Sequence, residues 1–432
     1  MCKFKSLQHQ LIQQLQSFRF DHGQYPSQNL TIEIEPITLL TLLKGQENTT
    51  NTNQALYPHI YWQNKENTHT LASFGSIEAL NHIPAPIEQQ FYLGGVAFQQ
   101  QGEQWPDFPS TCFIRPLMVF QQQNGEWQVI FHFDGNNTID DTIKAVRSLQ
   151  VPQSHSVLSL SLLSRQDIPN QQQWAELIEL AIEYKALLPK VVLSRQTELS
   201  FDSNINPWDV MALWQQANIN SFHYVFKFSE KRCFISCSPE RLYSRHHQSI
   251  TTEALAGTAP RGKTINEDQW LKQGLLHDKK IDRENHIVQE FIVASLKQLK
   301  AQVSCSPTQV MQLQNVQHLC VPIKASLPKQ VQDNHLLHKL HPTPAVGGIP
   351  KLPALQFIND NEPYVRGWYA GAVGYISQRK SDISVAIRSA LIEGKNIKLF
   401  AGAGIVTGSV ASDEWQELDN KIGTILTILN SR

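Results

Sequence analysis

The chain has 432 residues, 41% of them apolar, enough for one large domain or two or three smaller ones. Its 37 lysines and arginines balance 38 aspartates and glutamates, and the absence of a basic stripe argues against nucleic acid or an anionic membrane as partner. Met1 to Lys5 lacks the apolar core of a signal peptide, no run approaches a membrane span, and the scattered Cys2, Cys112, Cys233, Cys237, Cys305 and Cys320 read as reduced thiols of a cytoplasmic protein.

Leu7, Leu11, Leu15 and Phe18 predict an amphipathic N-terminal helix. Strand-like runs follow at Leu30 to Leu43 and Ile60 to Gln63, separated by a polar loop from Gly45 to Gln54. Tyr92 to Phe98 reads as a buried strand kinked at Gly94-Gly95. Phe113 to Gln121 and Trp127 to Phe133 make a hairpin around Asn124-Gly125, the strongest local turn signal. Residues 1–165 are thus strand-rich without obvious chemistry, and polar Ser164 to Gln173 marks a boundary before the region 166–432.

Trp174, Leu177, Ile178, Ala181 and Tyr184 form a helix that Pro189 ends. Strands are expected at Lys190 to Arg195, Phe222 to Phe228, Cys233 to Cys237 and Ser249 to Leu255, then one long helical segment from Glu267 to Leu299. Leu336 to Leu340 is a short helix ahead of the loop His341 to Gly348. The last third supplies strands at Ala370 to Ser377, Ile383 to Leu391 and Ile397 to Phe400, then a glycine turn at Gly402-Ala403-Gly404 whose exposed N–H groups suit an anion. In the final helix Trp415, Leu418, Ile422, Ile425 and Leu429 face the core. Consecutive strands with short turns favour an antiparallel α+β architecture over a doubly wound sheet.

Glu414, Glu417 and Lys421, three and four apart, share a neighbouring face of that helix. They suit a divalent cation with a carboxylate ligand, or simply a solvated salt-bridged surface. Lys190 is either an edge lysine with a solvated head or one desolvated enough to take a proton from water. Ser238-Pro239-Glu240 puts a carboxylate in a turn, where it serves solubility or, if buried, a general acid. Ala254 to Lys263 joins small residues, a hydroxyl and two cations, as an ordinary polar loop or a lid over an acidic substrate. Glu284, inside the long helix, gains interest as a partner for Glu417, since Mg²⁺ takes carboxylate oxygens from separate elements. Arg388 and Tyr369 lie in or beside apolar strands, and an arginine there needs a structural aspartate or a substrate carboxylate. His335, His338 and His341 have zinc-like spacing, but the first two are helical and the third opens a proline loop.

These stretches together resemble the chorismate-utilising enzymes, which include isochorismate, salicylate, anthranilate and aminodeoxychorismate synthases. The resemblance rests on Lys190 to Arg195, Ser238-Pro239-Glu240, Ala256 to Gly262, Asp282-Arg283-Glu284, His341 to Ala345, Arg366 to Tyr369, Ala386 to Ala390, Gly402 to Ile405, and Glu414 to Glu417 with Lys421. Each is weak alone, and nine in order from Lys190 to Lys421 are specific. The resemblance implies one large α+β domain of packed antiparallel sheets flanked by helices, chorismate as substrate and Mg²⁺ as cofactor. It assigns base and acid to Lys190 and Glu240, the metal to Glu284 and Glu417, and a water-mediated or outer contact to Glu414. It gives the enolpyruvyl carboxylate to Arg388 and Tyr369, the ring carboxylate to Gly402, Ala403, Gly404 and Lys421, and pocket walls to Thr258 and His341. Many members carry an acid three residues before the metal glutamate, and here that position is Ile281.

Within the family, Lys190 fits water as nucleophile. Ala254-Leu255 stands where amide-transfer members have Pro-Ile, and His341-Pro342-Thr343-Pro344-Ala345 departs from the His-Pro-Ala-Gly-Thr of aminating members. The expected activity is therefore reversible conversion of chorismate to isochorismate, without an amidotransferase subunit. Length and the extended N-terminal region lean toward menaquinone biosynthesis. Salicylate synthesis, which adds pyruvate elimination, and a catalytically silent chorismate binder are the alternatives.

Overall fold

The strand Lys190–Phe201 is buried along most of its length, and the rest of the molecule is layered around it. The computed structural model describes residues 2–19, 27–48, 56–135, 137–312 and 316–430. Among them twenty strands join one hydrogen-bonded network in which neighbours run antiparallel, with ten α-helices on the outside. The expected α+β fold is therefore found, as a single domain. The strand Leu162–Ile168 pairs with Lys190–Phe201, so the sheet runs straight through the polar stretch around residue 165.

Two runs of pairings diverge from the long strand Thr111–Gln123. One passes through His69–Leu80, His59–Gln63, Phe222–Lys227, Cys233–Ser238, Ser389–Glu393 and Asn396–Val406 to Lys190–Phe201. The other passes through Phe91–Val96, Ala372–Ser377, Lys380–Val385, Arg241–His246 and Ser249–Pro260 to Val316–Ser326. The chain steps from the first run to the second at Pro239-Glu240, and back again at Ala386-Ile387-Arg388. Backbone bonds tie each step to the opposite run: Val385 N–H donates to Glu240 O (3.0 Å) and Cys237 N–H to Arg388 O (3.0 Å). Polar side chains at such steps face the space between layers.

The N-terminal helix Cys2–Ser17 buries Leu11 and Leu15 as its spacing predicts, and the Asn124-Gly125 hairpin forms with positive φ at both residues. Four expectations are corrected. Leu30 to Leu43 is not one strand: Gln28–Glu33 is, and Leu39–Gly45 is a helix. Pro36 lies between them, and the leucine-rich run beyond it buries Leu39, Leu40, Leu42 and Leu43. Of the polar loop that follows, residues 49–55 lie outside the described residues. The helical segment 267–299 is two helices, Ile265–His277 and Lys279–Gln298, broken at Asp278, whose Oδ1 accepts the Ile281 N–H (3.1 Å). Ile383 to Leu391 divides into Lys380–Val385 and Ser389–Glu393, on different runs, with Arg388 at φ 49°.

The fourth correction concerns Gly402-Ala403-Gly404, which is no turn. It lies inside the strand Asn396–Val406, opposite Ser194, Leu193 and Val192, and the chain turns only near Gly408. The final helix, Ala411–Leu429, packs on this strand through Leu418, Ile422, Ile425 and Leu429. Trp415 is partly buried, with the Arg195 guanidinium 4.3 Å from its ring centroid.

Candidate active site

A cavity of about 280 Å³ opens between the two sheet runs. Its walls carry Glu240 and Arg388 from the two steps between runs, and Ile281 and Glu284 from the helix Lys279–Gln298. Glu414, Glu417 and Lys421 come from the final helix, Tyr369 from the segment before Ala372–Ser377, and Gly402 and Gly404 from the glycine strand. Residues from six separate stretches of sequence thus meet in one place, as the resemblance implies.

The glycines are there because the space is taken. A Cβ on Gly402 would stand 2.7 Å from the Tyr369 hydroxyl oxygen, and one on Gly404 would stand 3.0 Å from Glu284 Oε1 and 3.2 Å from Lys190 Cε. The strand also offers an edge. Lys421 Nζ donates to Gly402 O at 2.7 Å, so Gly402 turns its polar backbone away from Lys190–Phe201. N–H and C=O of one residue in an antiparallel strand point the same way, as do those of residue i+2. The N–H groups of Gly402 and Gly404 therefore face this side, where the pairing with Ser389–Glu393 ends at Phe400 among the described residues. The outward N–H groups expected of a glycine turn are offered instead by a strand edge. Ala403, one residue out of phase, points its backbone at the neighbouring strand, and its side chain packs in the core.

Lys190 is buried just beneath Gly404, with Nζ 2.7 Å from Glu284 Oε1. Across the site Lys421 pairs with Glu417 Oε1 at 2.5 Å. Burial alone would raise Glu417, but Lys421 and Arg388 outweigh it and hold the carboxyl below its ordinary range. Glu240 behaves in the opposite way. Its burial, with the nearby Glu253 carboxylate, outweighs Lys65, Lys190 and Lys421 and raises it to about 8, so it keeps its proton at neutral pH. Desolvation lowers Arg388 to about 10, against the pull of Glu417 and Tyr369. Its Nη1 donates to Lys421 O at 2.8 Å, and among the described residues no carboxylate forms an ion pair with it.

Two expected residues stand apart. His341 is buried with Nε2 3.4 Å from Ala97 O, and burial lowers it to about 3; it does not line this cavity, because the helix Asp333–Leu340 ends there facing Phe98. Thr258 lies on the strand Ser249–Pro260 opposite His318, and its side chain lies outside the described residues. Two lining residues went unmarked in the sequence. His318 bonds Gly257 O through Nδ1 (3.2 Å), and burial with Arg388 and Lys421 lowers it to about 3, leaving it neutral. It sits in an apolar strand with no motif around it. Asp278 was hidden by reading one long helix where there are two; it lines the cavity about one turn before Ile281, on the same wall.

Glu284, Glu414, Glu417 and Asp278 are the oxygen donors a hard divalent cation takes. Among the described residues no three such side chains stand together as a ready-made cage; an ion that takes one or two carboxylates and keeps its waters, as Mg²⁺ does, is the kind this donor set could hold. The residues fit the ion. At Glu284 and Glu417 the lysines engage Oε1, which leaves Oε2 of each for an ion.

A walled cavity with a buried protonated carboxyl and an arginine without a carboxylate ion pair among the described residues, with the buried Lys190 just behind the glycine strand, defines an enzyme site for a small acidic ligand. The profile of the chorismate binding enzymes matches residues 78–430, and the chain belongs to that family. It is 35% identical over 386 residues to isochorismate synthase MenF of Escherichia coli (87% of this chain, 89% of that one), and 31% identical over 411 residues to the Haemophilus influenzae protein of the same name (92% and 90%). The solved structure of the menaquinone-specific isochorismate synthase from Escherichia coli superposes with a TM-score of 0.87 at 32% identity, covering 99% of this chain and 100% of that one. Anthranilate synthase component I of Streptococcus pneumoniae, 20% identical over 95% of this chain and 94% of its own, shares the fold at a TM-score of 0.67. No helix among the described residues is long and apolar enough to cross a membrane.

Proposed function

We propose that this protein is an isochorismate synthase, converting chorismate reversibly to isochorismate in the cytoplasm with Mg²⁺ and supplying menaquinone biosynthesis. The observation that carries the reading is the opposed pair at the site: Glu240, buried and held protonated, and Lys190, buried beneath the glycine strand. The similarity to isochorismate synthases over about nine-tenths of each chain supports it.

In the proposed reaction Arg388 and Tyr369 hold the enolpyruvyl carboxylate, and Lys421 with the Gly402 and Gly404 N–H groups receives the ring carboxylate. Lys190 Nζ, parted from Glu284 and a neutral amine once its proton is released to solvent, takes a proton from water as the water oxygen adds at C2. The two ring double bonds shift, and the C4 oxygen leaves with the proton of Glu240. One water enters and one leaves, so the reaction is an isomerisation and runs in both directions. Glu284 and Glu417 would hold Mg²⁺, with Glu414 in an outer position, and the bound ion would supply charge to neutralise the ring carboxylate.

Turnover in ¹⁸O-labelled water tests this chemistry. Label from solvent should appear in the hydroxyl of isochorismate at C2. Unlabelled product would mean that the original hydroxyl migrates, and the water-addition scheme would be wrong.

A further inference from the structure

Beside Glu240, among residues that do not themselves line the cavity, lies a second group of charges that the proposed reaction does not use. Lys65, in the turn between His59–Gln63 and His69–Leu80, reaches Glu253 Oε1 on the strand Ser249–Pro260 at 2.5 Å. The two side chains are only 10% and 13% exposed, with Met311 Sδ against the ammonium (3.7 Å). A covered pair of this kind is weak support for stability, since desolvation offsets most of its attraction. Its position is more telling. The same Glu253 oxygen accepts the N–H of Arg241 at 3.2 Å, the peptide unit directly attached to Glu240. Arg241 itself is turned outward, its guanidinium engaged with Asp382 (3.2 Å) and Glu66 (2.8 Å).

We propose that the Lys65–Glu253 pair is a positioning device for Glu240, fixing the step between the two sheets on which Glu240 rides and setting the charge its carboxyl meets. The inference rests on Glu240 being the proton donor of the proposed reaction. The charged groups acting on Glu240 come from four directions: Glu253 on its strand, Lys65 from the hairpin turn, Lys190 from the strand beneath, and Lys421 from the final helix. Glu253 is the only one of the four that favours the protonated form, so it opposes three lysines. Without it Glu240 would ionise at lower pH and stop donating where the enzyme works.

The pH dependence of kcat/KM, measured on the full chain with Mg²⁺ present, separates this from a merely structural role. Activity should fall along an alkaline limb near pH 8 that disappears in Glu240→Gln together with turnover. Glu253→Gln should move that limb to lower pH by on the order of one unit, with activity on the acid side kept within a few-fold. Glu253→Asp, which keeps the charge, should leave the limb near its original place. If Glu253→Gln fails to fold, the double variant Lys65→Met with Glu253→Gln removes both charges and should move the limb in the same direction by less. An unmoved limb in folded Glu253→Gln, or in the double variant, would overturn the proposal. Near-normal turnover in Glu240→Gln would instead overturn the reading beneath it.

Discussion

Glu240 is asked to do chemistry that its burial makes costly, and the cost has a sign. Its carboxyl titrates near 8 in the fold against an ordinary 4.5, so the folded state binds the proton more tightly than the unfolded chain does. The stability tied to that proton is fully present below pH 4.5 and is lost as pH rises through 8. Glu240→Gln cannot ionise. It should therefore match the parent protein in thermal melting at pH 5 and melt several degrees higher at pH 9, while turnover falls by about 10²- to 10⁴-fold. Equal melting temperatures at pH 9 would show that the carboxyl is not held neutral. Arg388 poses the matching question for binding. Replacing it by lysine keeps the charge but loses the planar fork, and should raise KM for chorismate by about tenfold or more with a smaller effect on kcat.

Most of these residues were legible in the sequence because their neighbours are as particular as they are: Pro189 before Lys190, Ser238-Pro239 before Glu240, glycines flanking Ala403. His318 and Asp278 were not. A histidine in an apolar strand has no spacing to mark it, and Asp278 interrupts a helical pattern without a glycine or proline to announce the break.

At the scale of elements, the glycine strand governs the geometry. Misread as a turn because Gly402 and Gly404 look like punctuation, it is a regular strand whose missing side chains make room for Tyr369, Lys190 and Glu284. Gly404→Ala should push Lys190 and Glu284 apart and lower kcat on the order of ten- to a hundredfold, with little change in melting temperature, since the backbone there has ordinary strand geometry. A variant with full activity would mean that the lysine–glutamate geometry is unimportant. A second element-level device is the buried pair Arg366–Glu362. Arg366 donates to Val192 O (2.7 Å) and Val346 O (3.0 Å), both on the cavity wall, while Glu362 Oε1 accepts from Ser194 N–H (2.8 Å) and Oγ (2.9 Å). Glu362→Ala leaves a buried guanidinium without its anion and should destabilise the fold by about 3–5 kcal/mol in chemical denaturation.

On the scale of the whole molecule, the site exists because two of the chain's steps between the sheet runs deliver Glu240 and Arg388 to the same gap. The antiparallel α+β class was readable from strands following one another with short turns. The step at Ala386-Ile387-Arg388 was not, because Ile383 to Leu391 holds no glycine or proline to mark a change of sheet. The N-terminal third, silent in motifs, contributes structure: His59–Gln63 pairs with Phe222–Lys227, and Phe91–Val96 with Ala372–Ser377. A fragment beginning at residue 166 would lack both partner strands and should fail to fold as a soluble unit.

Turnover of chorismate by the purified chain tests the central claim most directly. With Mg²⁺ and neither ammonium nor an added subunit, isochorismate should accumulate to an equilibrium reached equally from either side, and chelation of the metal should stop it. Salicylate with pyruvate as the main products, or no turnover at all, would contradict the assignment.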